Sequence, residues 1–395
     1  MRLIFLSWAY PPMRYPRAVQ VARLATHLGR PVEVFCAAVD GDHGTGAAVT
    51  RVPNPPLQQW LDRITTPKLR AALVAPDPQR FWAGAAARTI AATAPDARDL
   101  LVTFGQPMSD HLAGLALKRR FGMRWIAHFS DPWADNPLAP PVPMLKARNL
   151  ALERRVVAAA DRLLVTSAET QTLMTQKYPP AIRAKAVVLP HAFDAARFPP
   201  RTRASGPLLL RYLGTFYSHR GPRPLIDGLA ALAARQPDLA VRLRVEIIGD
   251  ISPRLQSDDA AQSLPPGLLH FRPAVDYPTS LALMREADLL LHIDAPAASS
   301  VFFASKLADY LGARRPILAI TPPGTAAQLV RALGGWVADP ADPGVVAAAL
   351  AEALAYLAAH REHDWGDETV RCRYDIATVN GDFSRLVDEA AGCRA

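Results

Sequence analysis

Cysteine is nearly absent from this chain of 395 residues: Cys36, Cys372 and Cys393 are three thiols scattered without metal-ligand spacing. That excludes a disulfide-stapled fold and a zinc module, and it fits a reducing cytoplasm. Long apolar runs are lacking too; none reads as long enough to cross a bilayer. The opening MRLIFLSWAYPP has only a short apolar stretch and no small-residue cleavage site, so it reads as a first strand and not a signal peptide. No aromatic-interleaved RNA-binding pattern, zinc finger or basic heptad region occurs, which argues against a nucleic-acid partner. Acidic residues are the minority, 36 against 45 Lys and Arg, for a formal net charge of +9. An anionic partner follows, either a phosphorylated substrate or an anionic membrane face. Half of the residues are hydrophobic, enough at this length for two domains with separate cores.

What the chain does have is alternation. RLIFLSWA (2–9), PVEVFCAAV (31–39), DLLVTFG (99–105), RWIAHF (124–129), DRLLVTS (161–167) and AVVLP (186–190) read as apolar strands, separated by helical stretches such as AVQVARLATHLGR and DHLAGLALKRRF. RFPPRTRASGPL (197–208) is too rich in Pro, Arg and Gly for a regular element and reads as a linker. The pattern then restarts with LLLRYLGTF (208–216), LRVEIIG (243–249), LLHF (268–271), LLLHI (289–293) and PILAI (316–320), with helices between them and at 345–361 and 379–391. Alternating strands and helices predict an α/β chain of two doubly wound parallel sheets facing across a cleft. The expected boundaries are 1–196, a linker at 197–207, 208–365, and a helical tail 366–395 packing back on the first domain.

In such sheets ligands sit beyond the carboxyl ends of the strands, so the loops there carry the candidate chemistry. GDHGTGAA (41–48) has P-loop-like glycines, but Ala47 stands where the obligatory Lys should be, and the segment reads as a flexible loop. Arg14 and Arg17 follow the first strand and either clamp an acidic acceptor or phosphate or are solvated loop arginines. Ser109 or Asp110 is placed to cap a helix, with His111 in its first turn as a proton-handling or hydroxyl-binding group, or as polar packing. In HFSDPWADNP (128–137), Asp131 follows a strand on a rigid loop, where it contacts an acceptor hydroxyl, acts as a base, or caps a turn. Asp131 and Asp135 have no third ligand at metal spacing. In GTFYSHRGPRPL (214–225), Gly214 permits close backbone approach and Arg220 is placed to neutralise a departing diphosphate. SSVFFASKLADYLGARRPILAIT (299–321) puts Ser305, Lys306 and Asp309 at the start of a helix, where open N–H groups and a point charge suit a phosphate. The other reading is an ordinary Ser cap, a surface Lys and a first-turn Asp.

Taken together these segments resemble a family 4 glycosyltransferase of the GT-B fold over nearly the whole chain. The resemblance rests on YPP with its following Arg and helix, GQPMSDHLAGLALKRRFGMRWIAHFSDPWADNP (a subgroup with a DPW motif), LPHAFDAARFPP, LGTFYSHRGPRPLIDGLAAL and FASKLADYLGARRPILAI, in that order. It implies a sugar transferase of the hexosyltransferase class, retaining, using a nucleotide-diphosphate-sugar donor without a bound metal or other cofactor. By it, Arg220 and Lys306 contact the diphosphate, Asp309 the nucleotide ribose, and Gly214 and the Ser305 region the donor backbone-side. Asp131 is the catalytic candidate of the first domain, and Arg14, Arg17, His111 and His128 are the acceptor-side candidates. Two departures stand out: Val301 occupies the place of the usual clamp Glu, and His128 and Ser130 replace the subgroup's Asp and Arg.

The expected partners are the donor and a sugar, lipid-linked or small-molecule acceptor, in bacterial polysaccharide, glycolipid or specialised-metabolite glycosylation. The expected location is the cytoplasm, with peripheral attachment to the inner face of an anionic membrane through QQWLDRITTPKLRAAL and DPQRFWAGAAARTI. The alternatives are a non-catalytic nucleotide-sugar-binding GT-B protein and a nucleotide-sugar epimerase.

Overall fold

The computed structural model describes every residue except 42, 43, 45, 67–73, 140, 141, 203–205, 217–219 and 393–395, and the side chain of Arg254. The chain forms two compact units, Met1–His191 with Ile376–Ala395, and Ala192–Asp375.

The first unit is built on a seven-stranded sheet in the order β3-β2-β1-β4-β5-β6-β7, every pairing parallel. Its strands are β1 (Leu3–Leu6), β2 (Glu33–Ala37), β3 (Ala48–Val52), β4 (Leu100–Gly105), β5 (Arg124–Phe129), β6 (Arg162–Val165) and β7 (Ala186–Val188). β1 and β4 are buried along their whole length, which is why they read as unbroken apolar runs. β3 is different. It lies at the sheet edge, alternates half-buried and exposed residues, and begins inside the segment expected to be a loop, of which residues 42, 43 and 45 lie outside the described residues. The helices that matter to the site are α1 (Pro16–Thr26), α2 (Pro56–Ile64), α3 (Arg80–Ala92), α4 (Ser109–Phe121) and α5 (Pro143–Ala159). α2 packs on α3, α3 on α4, and α4 on α5. Gly114 lets α4 lie close on the Trp125 ring, where a Cβ would sit 2.7 Å from the indole nitrogen. The last helix, Ile376–Ala390, returns to this unit: Asn380 donates to the Leu24 carbonyl at 3.4 Å, and Arg30 pairs with Asp388 at 2.7 Å.

The second unit carries β8 (Leu208–Leu213), β9 (Leu243–Ile248), β10 (Leu269–Arg272), β11 (Leu289–Ile293), β12 (Ile317–Ile320) and β13 (Trp336–Ala338), paired in parallel in the order β10-β9-β8-β11-β12-β13. The described residues of the expected linker fall within this unit, because Phe198 packs against Gly312 and the Arg201 guanidinium lies 3.7 Å from the buried Asp288. Residues 366–375 belong to it as well, with Arg371 Nε donating to the Leu311 carbonyl at 3.1 Å. α6 (Arg223–Arg235), α7 (Ser305–Ala313) and α8 (Pro343–His360) complete the elements used below. α8 corrects the sequence reading of apolar runs, being long and apolar enough by composition to cross a membrane. Here Val346, Leu350, Ala353, Leu354 and Leu357 are instead buried in the core of the unit. Gly228 of α6 makes the close packing possible, since a Cβ there would run into Val346.

Candidate functional site

In each unit the strand order reverses between two neighbours, β1 and β4 in the first, β8 and β11 in the second. The crevice beyond the carboxyl ends of such a pair is where open α/β sheets receive ligands.

In the second unit this crevice collects cations. Lys306, in the first turn of α7, places its ammonium 3.6 Å from the centre of the Tyr212 ring, which itself stacks on Phe216 at 4.3 Å. The nitrogen is buried and has no hydrogen-bond partner among the described residues. Burial, and then repulsion from Arg220, hold this amine well below the ordinary lysine range, while Asp294 opposes the shift. Gly214 sits just after β8 at a φ of +138°, and a Cβ there would stand 3.0 Å from the Lys306 nitrogen. Glycine is needed on both counts. Arg220 donates from Nε to the Ile293 carbonyl at 2.8 Å, and its Nη2 lies 3.8 Å from Asp294.

Asp294 is the hub that sequence reasoning missed. It directly follows β11, and its Oδ2 takes Thr321 Oγ1 at 2.8 Å, His292 Nε2 at 3.1 Å and Ser300 Oγ at 3.3 Å. Although burial opposes ionisation, His292, Arg220 and Thr321 together hold the carboxyl well below its usual range. The rule that singled out Asp131, an Asp next after an apolar strand, points equally to Asp294 in LLLHID.

The start of α7 differs from the simple capping reading. Ala304 is the N-cap, no side chain caps the helix, and Ser305 is its first residue. Asp309 is buried one turn on and accepts from the Tyr277 hydroxyl at 2.9 Å. The structure thus brings Gly214, Arg220 and Lys306 together, with Ser305 adjacent and Asp309 on the same helix.

In the first unit the candidates separate. Arg14 is exposed, whereas Arg17 is buried in the first turn of α1. Arg17 Nη2 donates to the carbonyls of Gly105 and His128, the latter at 3.0 Å, and lies 2.9 Å from His128 Nδ1. Arg17 is therefore neither solvated nor presented to an outside anion; it ties the carboxyl ends of β4 and β5 together. Burial lowers its pKa to about 10, with Asp131 opposing. A guanidinium can only donate, so His128 Nδ1 accepts and its proton resides on Nε2. Burial first, then Arg17, His191 and His111, push the His128 pKa well down, so the ring stays neutral.

His111 is also neutral, its pKa lowered by burial to about 3, with Nδ1 2.8 Å from Thr103 Oγ1 and its ring 4.1 Å from that of Phe129. Polar packing wins over proton handling here. Neither Ser109 nor Asp110 caps α4: the N-cap is Met108, and both residues are already helical because the first turn is anchored otherwise. Asp77 accepts from Ser109 N at 2.9 Å, and Asp110 accepts from Trp8 N at 2.8 Å. Burial and the neighbouring Asp77 raise Asp110 well above the carboxylate range. Asp131 is half-buried beyond β5. Asp135 is occupied by Lys146 at 2.9 Å and Lys177 at 2.5 Å, which fixes its loop onto α5. Among the described residues, no three His, Cys, Asp or Glu side chains converge as a metal set.

Two parallel-sheet α/β units, each with a switch point at the carboxyl ends of its strands, are the architecture of the GT-B class of fold. The likeness to solved structures agrees. Sucrose-phosphate synthase from Thermosynechococcus elongatus superposes with a TM-score of 0.75 at 16% identity, covering 100% of both chains. Anabaena HepE in complex with UDP-glucose gives 0.68 at 16% identity, over 98% of this chain and 100% of that one. Residues 16–192 match the glycosyl transferase 4-like domain. A D-inositol 3-phosphate glycosyltransferase of Geodermatophilus obscurus is 25% identical over 260 residues, 58% of this chain. The match spans 56% of that relative's length. Residues 16–192 thus resemble a glycosyl transferase 4-like domain, and the chain has the GT-B fold.

Proposed function

We propose that this protein moves a sugar from a nucleotide-diphosphate-sugar donor to an acceptor hydroxyl, with retention of configuration and without a resident metal. One observation carries the reading: a buried lysine ammonium with no hydrogen-bond partner among the described residues, beside an arginine, at the switch point of the second unit. A buried amine without a hydrogen-bond acceptor is costly, and an anion with several acceptor oxygens supplies what it lacks. The UDP-glucose held by the HepE neighbour is such an anion.

In this reading the diphosphate lies against Lys306, Arg220 and the open first turn of α7, with Asp309 toward the ribose. As the sugar–phosphate bond breaks, charge grows on the leaving diphosphate, and the two fixed cations stabilise it where it develops. The acceptor oxygen bonds to the sugar on the face that the phosphate leaves, and its proton passes to a phosphate oxygen. The acceptor-side candidates of the first unit are His128, with its Nε2–H, and Asp131. His128 and His111 are neutral, so they orient or donate hydrogen bonds and do not cycle protons near neutral pH. Cytoplasmic glycosylation of a polysaccharide, glycolipid or specialised metabolite is the setting that fits.

Val301, in the place of the clamp Glu, favours a second reading, a nucleotide-sugar binder that does not transfer. A thermal-shift screen of nucleotide sugars followed by product analysis separates the two. Transfer requires that Lys306→Ala and Arg220→Ala each remove most turnover while the fold survives. Near wild-type rates in either variant overturn the diphosphate site, and a donor that binds but is never consumed favours the second reading.

A further inference from the structure

A fixed negative charge lies beside the two cations of the second unit. Asp294 is buried, and its backbone N–H still belongs to the sheet, donating to the Ile320 carbonyl at 2.9 Å. Its Oδ2 is held by His292 on β11, Ser300 in the following loop and Thr321 just after β12. Ser300 is fixed in turn: its N–H donates to the Pro323 carbonyl at 2.8 Å, and a Cβ on Gly324 would run into its own carbonyl. The carboxylate is thus built into the ends of β11 and β12 by a network of donors from three segments.

Its charge survives these partners. Thr321 and Ser300 are neutral donors, and burial keeps the His292 ring neutral although it faces the carboxylate. Oδ1 is left toward Arg220, whose Nη2 is 3.8 Å away, beyond hydrogen-bond distance. Lys306 feels the same carboxylate, which favours the charged form of its amine. Arg220 and Lys306 therefore supply at most two positive charges, and Asp294 offsets one of them. A diphosphate esterified at both ends carries one negative charge on each phosphate. A free nucleoside diphosphate carries a further charge on its terminal phosphate, above that group's second pKa of about 6. That extra charge meets the same cations, but also the repulsion of a buried and poorly screened carboxylate.

We infer that Asp294 is a specificity-determining residue of this site, a fixed counter-charge that shifts its preference from the free nucleoside diphosphate toward the diphosphate ester. The inference rests on the donor reading given above. It gives the carboxylate no part in proton transfer, since Oδ2 is already taken by three donors. In the proposed reaction the ester enters and the free diphosphate remains, so the group that tolerates the one loosens the other. A purely structural carboxylate would act on both ligands alike.

The test is isothermal titration of the full chain at about pH 8, where the terminal phosphate of a free diphosphate is ionised. The probes are UDP, GDP and ADP, each paired with its glucose ester. In the pair that binds, Asp294→Asn should improve the affinity for the free diphosphate about three- to tenfold more than that for the ester, the effect of one like-charge repulsion at intermediate dielectric. Asp294→Ser removes the charge with a smaller side chain and should shift the ratio the same way. Thr321→Val takes away the closest donor, at 2.8 Å, but keeps the charge, so the ratio should stay where it is. Thermal unfolding of each variant shows that it is folded. A wild type that binds no pair overturns the donor reading and the inference with it. Binding of a pair whose ratio is unmoved by Asp294→Asn and Asp294→Ser, or moved as far by Thr321→Val, overturns the inference alone and leaves the donor reading standing.

Discussion

Replacing Lys306 by Met should make the empty protein more stable and its diphosphate site worse. The ammonium nitrogen is buried over Tyr212 with no hydrogen-bond partner among the described residues, so in the empty site it is an uncompensated group. Leaving such a group unsatisfied costs about 1–3 kcal/mol, which an apolar side chain of similar length recovers. In a unit of this size that raises the melting temperature by roughly 2–10 °C. Binding moves the other way. Loss of one charge-assisted hydrogen bond, about 1.5–3 kcal/mol, weakens UDP binding by roughly 10- to 150-fold. UDP at about a hundred times the wild-type Kd stabilises the wild type by about 2.7 kcal/mol, and the variant by only about 0.3–1.4 kcal/mol. Differential scanning calorimetry with and without UDP reads both effects in one experiment. The pH dependence follows from the direction of the Lys306 shift. Its folded pKa lies below the unfolded value of about 10.4, so between the two the unfolded chain binds more protons and stability rises with pH. Lys306→Met should flatten that slope, and wild-type UDP binding should take up protons where the variant does not. An empty variant less stable than the wild type, or an undiminished UDP shift, refutes the reasoning.

Gly214→Ala should cost about 1–3 kcal/mol, because φ of +138° is strained for any residue with a Cβ, and it should displace the Lys306 nitrogen 3.0 Å away. Isothermal titration with UDP should show a Kd at least several-fold weaker, and an unchanged Kd would detach Gly214 from the site. Acid should destabilise the first unit: His111 and His191 have folded pKa values of about 3, below the unfolded value near 6.5. Between these values the unfolded chain binds more protons, so each histidine costs about 1.4 kcal/mol per pH unit below 6.5. Urea unfolding at pH 7, 6 and 5 measures this, and a flat profile would show that these rings are not buried neutral.

Much of the architecture was legible because its physics is local. Leu3–Leu6, Leu100–Gly105 and Leu289–Ile293 are strands buried on both faces, and such strands must be continuous apolar runs. β3 and β13 escaped notice for the converse reason, AVTRV being an alternating edge strand and WVA only three residues long. The convergence of Lys306 and Arg220 was readable from their places after strands, and Asp294 was reachable by the same rule, but its partners His292, Ser300 and Thr321 meet only in the folded unit. Arg17 shows the same limit. Nothing in YPPMRYPRAVQ distinguishes it from Arg14, yet one points into the sheet ends and the other into solvent. Trp60 and Trp82 likewise carry equal weight in sequence, yet Trp60 is exposed and Trp82 lies in the core.

The return of Ile376–Ala395 to the first unit makes the second unit an insertion within the first. During synthesis, the first unit therefore waits for the helix Ile376–Ala390, while the second can close as soon as Asp375 has emerged. Phe383 against Phe5, 6.0 Å between ring centres, and Asn380 on the Leu24 carbonyl are made only after everything between has been translated. A folded insert joins its own ends and shortens the loop that those late contacts must close. The order of folding is thereby biased: the inserted unit closes before the unit that surrounds it in sequence is finished.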